Sequence, residues 1–394
     1  LPENQRVNFK EVELGYAGEE VAKRETQRCL ECGCTALQTC DLKAYATEYQ
    51  AEQMAFSGEF KDFEPDHSHP FIEIDNNKCI LCSRCVRICT NVVGANALGL
   101  VERGFETYVA PSMGESLIDT NCESCGMCIS ACPTGAITEN VLFKPLPVKM
   151  EKSKTICNYC SIGCEIEIHH KNGFVTAVEG VKGTVNKDGN ICRYARFGYH
   201  YLNDKRRITK PQIKENGKFR EAEFAEVFDL IKKHFDKENG NKNALFAGSR
   251  LSNEELYLAG KLAREGMKTE NVGSFHYLGR EYGYLNNNRH NVPFDQLKDV
   301  GKFFLLGADI NSDNAVAGFM VQQQVSENGT PLVVITDKKE SSMSYKADET
   351  LHVQSYYDLL KAINYYLVSA GKENQMFIDA QCEDFETYKS ALLE

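Results

Sequence analysis

In the second half of the chain the apolar residues alternate between two periods. Phe224, Val227, Phe228, Ile231 and Phe235 recur three and four apart, the spacing of one face of a helix. The run ALFAG then reads as a buried strand. Ser252 and Glu255 form a capping-box signature ahead of the helical stretch LYLAGKLAREG. FFLLG, a helix through AVAGFMVQQQV, and LVVIT continue the alternation, which predicts a parallel sheet with crossover helices. The first half has a different grain. EEVAKRETQRC and DLKAYATEYQAEQMAF are polar helical runs, and LGLVERGFETYVAP is a strand-like insertion. EIEIHH and FVTAVEG read as short strands, with turns at Asn172–Gly173 and Asp188–Gly189.

Two proline-bearing linkers, FKDFEPDHSHP and KPLPVKMEKS, divide the chain. We therefore expect four units: 1–62, 63–145, 146–206 and 207–394. Hydrophobic residues make up 42% of the 394 and charged ones 26%, enough to build ordinary cores. The net charge of −11 argues against a nucleic-acid binder, which needs a basic face to neutralise phosphates. No apolar stretch approaches the ~20 residues of a membrane helix. LPENQRVNFKEVELGY has no basic segment followed by an apolar one, so a cytoplasmic location is expected. A start without Met, and an end in helical-looking sequence, suggest a piece of a longer chain.

Seventeen cysteines change the picture. Sixteen fall in four groups up to Cys192, and Cys382 stands alone and is expected to be a free thiol. Repeated C-x2-C spacing in a reducing compartment reads as metal binding and not as a disulfide framework. Cys79, Cys82, Cys85 and Cys89 are followed by Cys122, Cys125, Cys128, Cys132 and Pro133. Three ligands at this spacing grip one [4Fe–4S] cubane, and the fourth cysteine of each run reaches the other. The predicted sets are Cys79, Cys82, Cys85 with Cys132, and Cys122, Cys125, Cys128 with Cys89. A pair of zinc sites is the rival reading, but zinc leaves the third C-x2-C step unexplained.

The paired runs resemble a bacterial-type two-cluster ferredoxin, with Thr90 departing from the usual proline. Cys157, Cys160, Cys164 and Cys192, set in CNYCSIGCEIEI, GFVTAVEG, NKDGNIC, RFGYHYLND and RITKP, resemble the iron–sulfur subdomain at the start of molybdopterin oxidoreductases. The large iron–sulfur subunit of complex I shares that subdomain. In RCLECGCTALQTCDL, Cys29, Cys32, Cys34 and Cys40 are less regularly spaced, and a zinc or mixed-ligand site stays open there. The text around them is similar to cluster-bearing segments of glutamate-synthase small-subunit-like reductases and of complex I and iron-only hydrogenase subunits. That resemblance implies another [4Fe–4S] cluster, with His67 and His69 as linker residues.

From about 220 the chain resembles the second domain of the molybdopterin family, through FFLLGADINSDNAVAGF, PLVVITDKK and ADETLHV. Family members hold molybdenum or tungsten through a side chain roughly a hundred residues after the last cluster cysteine. Here no cysteine lies between 192 and 382, and YGYLNNNRHNVPFDQL offers His290 without an obvious ligand. The family lysine in C-x-K-G-R-F-G is replaced by Tyr194 in C-R-Y-A-R-F-G. The resemblance thus implies a pterin fold and the residues imply no pterin. There is no G-x-G-x-x-G fingerprint and no G-x4-G-K phosphate loop.

The fold expected is an α+β multi-domain chain: a two-cluster ferredoxin-like unit, a molybdopterin-oxidoreductase-type subdomain and a truncated α/β parallel-sheet domain. The resemblances imply an electron-transfer iron–sulfur subunit of a bifurcating, anaerobic NAD(P)-linked complex of transhydrogenase, hydrogenase or formate dehydrogenase type. Four [4Fe–4S] clusters would pass single electrons between ferredoxin and partner subunits holding FAD or FMN and NAD(P). A molybdenum or tungsten formate-dehydrogenase-type catalytic subunit and a zinc-stabilised assembly scaffold are the alternatives. DKRRITK reads as a solvated or subunit-facing turn.

Overall fold

The computed structural model describes residues 18–20, 23–24, 34, 36, 39–52, 55, 58–141, 149–160, 162–237, 240–248, 250–273 and 293–393. Cys29, Cys32 and His290 lie outside the described residues. Helix α1, Asp41–Glu48, is the polar run after the first cysteine group. It has no buried residue, and Cys40 caps its N-terminus.

The two cysteine runs sit between β1 (Ile72–Ile74) and a late strand, Ile137–Glu139, paired antiparallel with Ile72 opposite Glu139. Each run closes in a short helix: α2 (Arg84–Arg87), continued by a π-turn through Val93, and Met127–Ala131. The strand-like insertion forms the hairpin β2 (Gly99–Val101) and β3 (Tyr108–Ala110). We number the late strand β4 and the helix Met127–Ala131 α3.

Strands β5 (Glu151–Ile156), β6 (Glu165–Lys171) and β7 (Phe174–Gly180) form an antiparallel sheet. The β6–β7 turn is Asn172–Gly173, with φ of 50° and 79°. Two successive left-handed residues match the twist of a tight hairpin, and Asn–Gly adopts them at least cost. Helix α4, Arg193–Phe197, follows Cys192. A further hairpin, β8 (Gln212–Glu215) and β9 (Lys218–Glu221), leads into α5 (Phe224–Lys237).

Beyond it, parallel pairing joined by helices develops in two ladders. The first is β10 (Leu245–Phe246) beside β11 (Val272–Gly273). Between them runs α6, Asn253–Lys261, whose Ser252–Glu255 capping box forms in both directions. The second ladder orders β12 (Phe303–Leu306), β13 (Leu332–Thr336) and β14 (Glu349–His352), with β13 central and buried throughout. Helices α7 (Ile310–Asp313) and α8 (Ala315–Asn328) cross between β12 and β13. The helix Tyr356–Ser369 and two shorter ones follow.

One expectation about burial needs correction. ALFAG yields only two strand residues, and Phe246 is 57% exposed. Its strand has one neighbour, so no second layer covers it among the described residues. Helix α5 has the expected spacing, yet Phe224 and Phe228 on that face are exposed. Periodicity sets which residues share a face, whereas burial depends on what packs there. No helix among the described residues is long and apolar enough to cross a membrane.

The central core joins three parts of the chain. Val93 and Cys125 from the cysteine runs, Ile166 and Ile191 from the middle sheet region, and Phe319 from α8 belong to one buried cluster. Phe319 is wholly buried. We expect Phe319→Ala to cost about 3–5 kcal/mol, the usual range for deleting a core aromatic side chain. Denaturant titration followed by limited proteolysis would register it as early release of the C-terminal portion. An unchanged midpoint would show that these parts do not share a core.

Candidate metal centres

The two paired runs carry the same backbone signature. In Cys79–Cys85 the residues on either side of the middle cysteine, Leu81 and Ser83, have φ of 56° and 57°. In Cys122–Cys128 the equivalent Ser124 and Gly126 have φ of 50° and 68°. A non-glycine residue held there costs on the order of 1–3 kcal/mol and persists only where the surroundings require it. Here the turns curl each loop around its own sulfurs. The Leu81 N–H points at Cys79 Sγ and the Ser124 N–H at Cys122 Sγ, each at 3.4 Å. Ala97 N–H reaches Cys89 Sγ at 3.4 Å.

The sulfurs line two separate cavities. Cys79, Cys82, Cys85 and Cys132 face one, walled by Ile74, Val109 and Ile137. Cys89, Cys122, Cys125 and Cys128 face the other, walled by Ile72, Leu98 and Leu117. Each set draws three cysteines from one run and the last cysteine of the other. The cavities hold about 360 and about 330 Å³ of empty space, mouths included. Four thiolates around an apolar chamber, with N–H groups aimed at sulfur, fit a [4Fe–4S] cluster.

Burial pushes the Cys85 and Cys122 thiols up to about 11, Cys125 up to about 12, and Cys128 well above its ordinary value. A thiol so placed holds its proton at neutral pH in the absence of a metal, which makes it a poor nucleophile.

Cys157, Cys160 and Cys164 lie on the β5–β6 connection, and Cys192 sits at the N-terminus of α4. Cys157 N–H donates to the Cys164 carbonyl at 2.8 Å. Burial, followed by the neighbouring cysteines of the group, raises Cys157 to about 11 and Cys164 to about 12. The chain therefore brings these four together. Of the first group, Cys34 and Cys40 are described and half-buried. Gly135, at φ of 71°, fits against them: a Cβ there would meet Ala36 Cβ at 2.6 Å and Cys34 Sγ at 3.2 Å. Leu42 N–H donates to the carbonyl of Pro133, on the wall of the first cavity. This segment is thus docked beside the set containing Cys132. Cys382 is exposed.

His69 is not a mere linker residue. It is buried, its Nδ1 accepts the Phe71 N–H, and its Nε2 lies 3.1 Å from Ser124 Oγ, between two cysteines of the second set. Burial lowers its pKa. Its only sequence signal is the position before Pro70. His67 is exposed, 3.7 Å from Glu73. Tyr194 is half-exposed under the Arg193 guanidinium. In DKRRITK, Arg206 pairs with Asp204 at the surface. Glu167, His169 and Glu179 converge, but Lys152 already occupies Glu167 Oε1 at 2.9 Å, as an ion pair. Sequence reasoning missed Glu123, half-buried and hydrogen-bonded to Asn311 and Gln322 of the C-terminal part. It also missed Arg196, whose place in R-F-G gives no local sign of its role.

Comparison with known proteins gives three consecutive family matches. Residues 69–138 match the ferredoxin-like domain of NADH-quinone oxidoreductase subunit 3. Residues 150–204 match the molybdopterin oxidoreductase Fe4S4 domain, and 207–387 match molybdopterin oxidoreductase. The chain therefore combines iron–sulfur domains of these types in an α+β multi-domain protein. The NADPH-Fe(3+) oxidoreductase subunit alpha of Geobacter sulfurreducens is 29% identical over 381 residues, 92% of this chain and 44% of the relative. An NADH-quinone oxidoreductase subunit of Rhizobium meliloti is 28% identical over 273 residues, 68% of this chain and 32% of the relative. A putative formate dehydrogenase of Staphylococcus aureus is 24% identical over 404 residues, 90% of this chain and 41% of the relative. The chain spans less than half the length of each of these relatives.

The crossed arrangement has a direct consequence. Cys89→Ser should damage the cluster of Cys122, Cys125 and Cys128, far downstream, with loss of up to about four irons. EPR of the reduced variant reads it. Loss confined to the cluster of Cys79, Cys82 and Cys85 would contradict the assignment.

Proposed function

We propose that this chain is the iron–sulfur electron-transfer subunit of an NAD(P)-linked oxidoreductase complex, passing single electrons through four [4Fe–4S] clusters. The observation that carries the proposal is the pair of four-sulfur cavities, with Cys34 beside the loop of Gly135 and Cys192 linked to Cys125 through Arg196. The proposed ligand sets are Cys29, Cys32, Cys34, Cys40; Cys79, Cys82, Cys85, Cys132; Cys89, Cys122, Cys125, Cys128; and Cys157, Cys160, Cys164, Cys192. One cluster alone can be structural, whereas adjacent clusters in one compact unit make a relay. When bound, each supplies one-electron redox chemistry at a potential set by charge, hydrogen bonds and exposure. The chain's own residues hold the cubanes, exclude water through the apolar walls, and aim N–H groups at the sulfurs.

A relay needs ends. Flavin subunits binding FAD or FMN and exchanging hydride with NAD(P) form one end of the proposed hetero-oligomer, and ferredoxin the other. The relatives named for NADPH and NADH chemistry support the first. Bifurcation of electrons between these partners, in an anaerobic cytoplasm, is the fuller form of the proposal. The domain limits 1–62, 63–145, 146–206 and 207–394 belong to it as well.

The match at 207–387 favours a second reading, a molybdenum or tungsten catalytic subunit of formate-dehydrogenase type. Against it stand Tyr194 in the lysine position and the absence of cysteine between 192 and 382. On our reading the α/β region is a docking platform without pterin.

Pure, iron-loaded chain should therefore reduce no dye with NADH or NADPH and contain neither molybdenum nor tungsten. Flavin-independent turnover at ~1–1000 per second, the ordinary range for enzymes, would overturn the electron-carrier reading. Stoichiometric molybdenum or tungsten would establish the catalytic one.

A further inference from the structure

Arg196 is almost wholly buried, at 4% exposure. Its Nε donates to the Cys125 carbonyl at 3.2 Å, one Nη to the Val178 carbonyl at 3.4 Å, and the other to Ser130 Oγ at 2.6 Å. All three acceptors are neutral. Glu179 and Glu139 act on the guanidinium only from a distance. Glu139 is itself a weak anion, pushed up to about 7 by burial and engaged with the Tyr199 hydroxyl. An arginine cannot shed its proton, so a buried guanidinium requires a compensating negative charge.

The surroundings are shaped for this side chain. Gly126 lies in the loop between Cys125 and Cys128, and a Cβ there would fall 2.2 Å from Arg196 Cδ. The next residue, Phe197, stacks on Phe71 with ring centroids 4.8 Å apart. Arg196 also belongs to α4, and its own N–H donates to the Cys192 carbonyl at 3.0 Å. One residue thus bonds Cys125 of one proposed ligand set and Cys192 of another.

We infer that Arg196 is a charge-setting and positioning residue for the cluster held by Cys89, Cys122, Cys125 and Cys128, and that this cluster adds its negative charge to that of Glu179 as counter-charge to the guanidinium. The inference rests on the electron-relay reading above. A [4Fe–4S] core with four thiolates carries net negative charge, and reduction adds one electron to it. A fixed cation against the ligand loop stabilises the reduced form more than the oxidised form and raises the potential. The same residue links the two ligand sets, its side chain bonding the Cys125 carbonyl and its backbone N–H the Cys192 carbonyl.

The test is potentiometric EPR of the full iron-loaded chain, the relevant signal being the one that Cys89→Ser removes. In Arg196→Gln the reduced-to-oxidised ratio at a fixed potential should fall at least tenfold, a shift of about 59 mV to more negative potential for one electron. Arg196→Lys should restore most of it. Ser130→Asp, at an exposed position, places an anion on the guanidinium without removing it and should shift the potential the same way. That variant reads the charge even where Arg196→Gln fails to load iron. Loaded variants with wild-type potentials overturn the inference and leave the relay intact. A wild-type chain without iron and sulfide overturns both.

Discussion

A thiolate cannot be buried in an apolar wall without a cation beside it, and much of this structure depends on that constraint. The ferredoxin-like unit has only a small apolar core of its own. Its sheets are two-stranded with three residues each, and its helices are one or two turns long. Small assemblies of this kind do not bury enough apolar surface to be stable alone. Cys85 and Cys128 are themselves members of its hydrophobic core. Metal bound at these cysteines would complete that core, and its binding free energy would become folding free energy.

The same constraint explains how the units join. Each interface with the unit places a side chain against a ligand loop: Gly135 beside Cys34, Arg196 on Cys125, and Glu123 held by Asn311 and Gln322. Gly94, just beyond Cys89, takes Gln322 so closely that a Cβ would meet its Cβ at 2.6 Å. Contacts built on the loops that carry the sulfurs keep neighbouring centres close and water away. An electron relay requires both.

The grouping of the cysteines was legible in the sequence because C-x2-C spacing is a local property. The crossing of the fourth cysteines was legible too, since the repeat implies two like halves facing each other, and the cavities bring together the same sets. Helix α6 and the Asn172–Gly173 hairpin were equally readable, each being fixed by a few adjacent residues. What escaped depends on distant partners. Arg196 looks like any surface arginine until the loop of Gly126 is folded over it. His69 looks like linker until Ser124 closes on its ring. Phe228 lies on an apolar helix face, yet it stays exposed, beside Phe224.

The central claim, that the grouped cysteines hold iron–sulfur clusters which make this chain a wire, is tested most directly by metal and sulfide analysis of the anaerobically purified protein. The account predicts about sixteen irons and about sixteen acid-labile sulfides per chain, four of each per cluster. Zinc in their place, without sulfide, would contradict it.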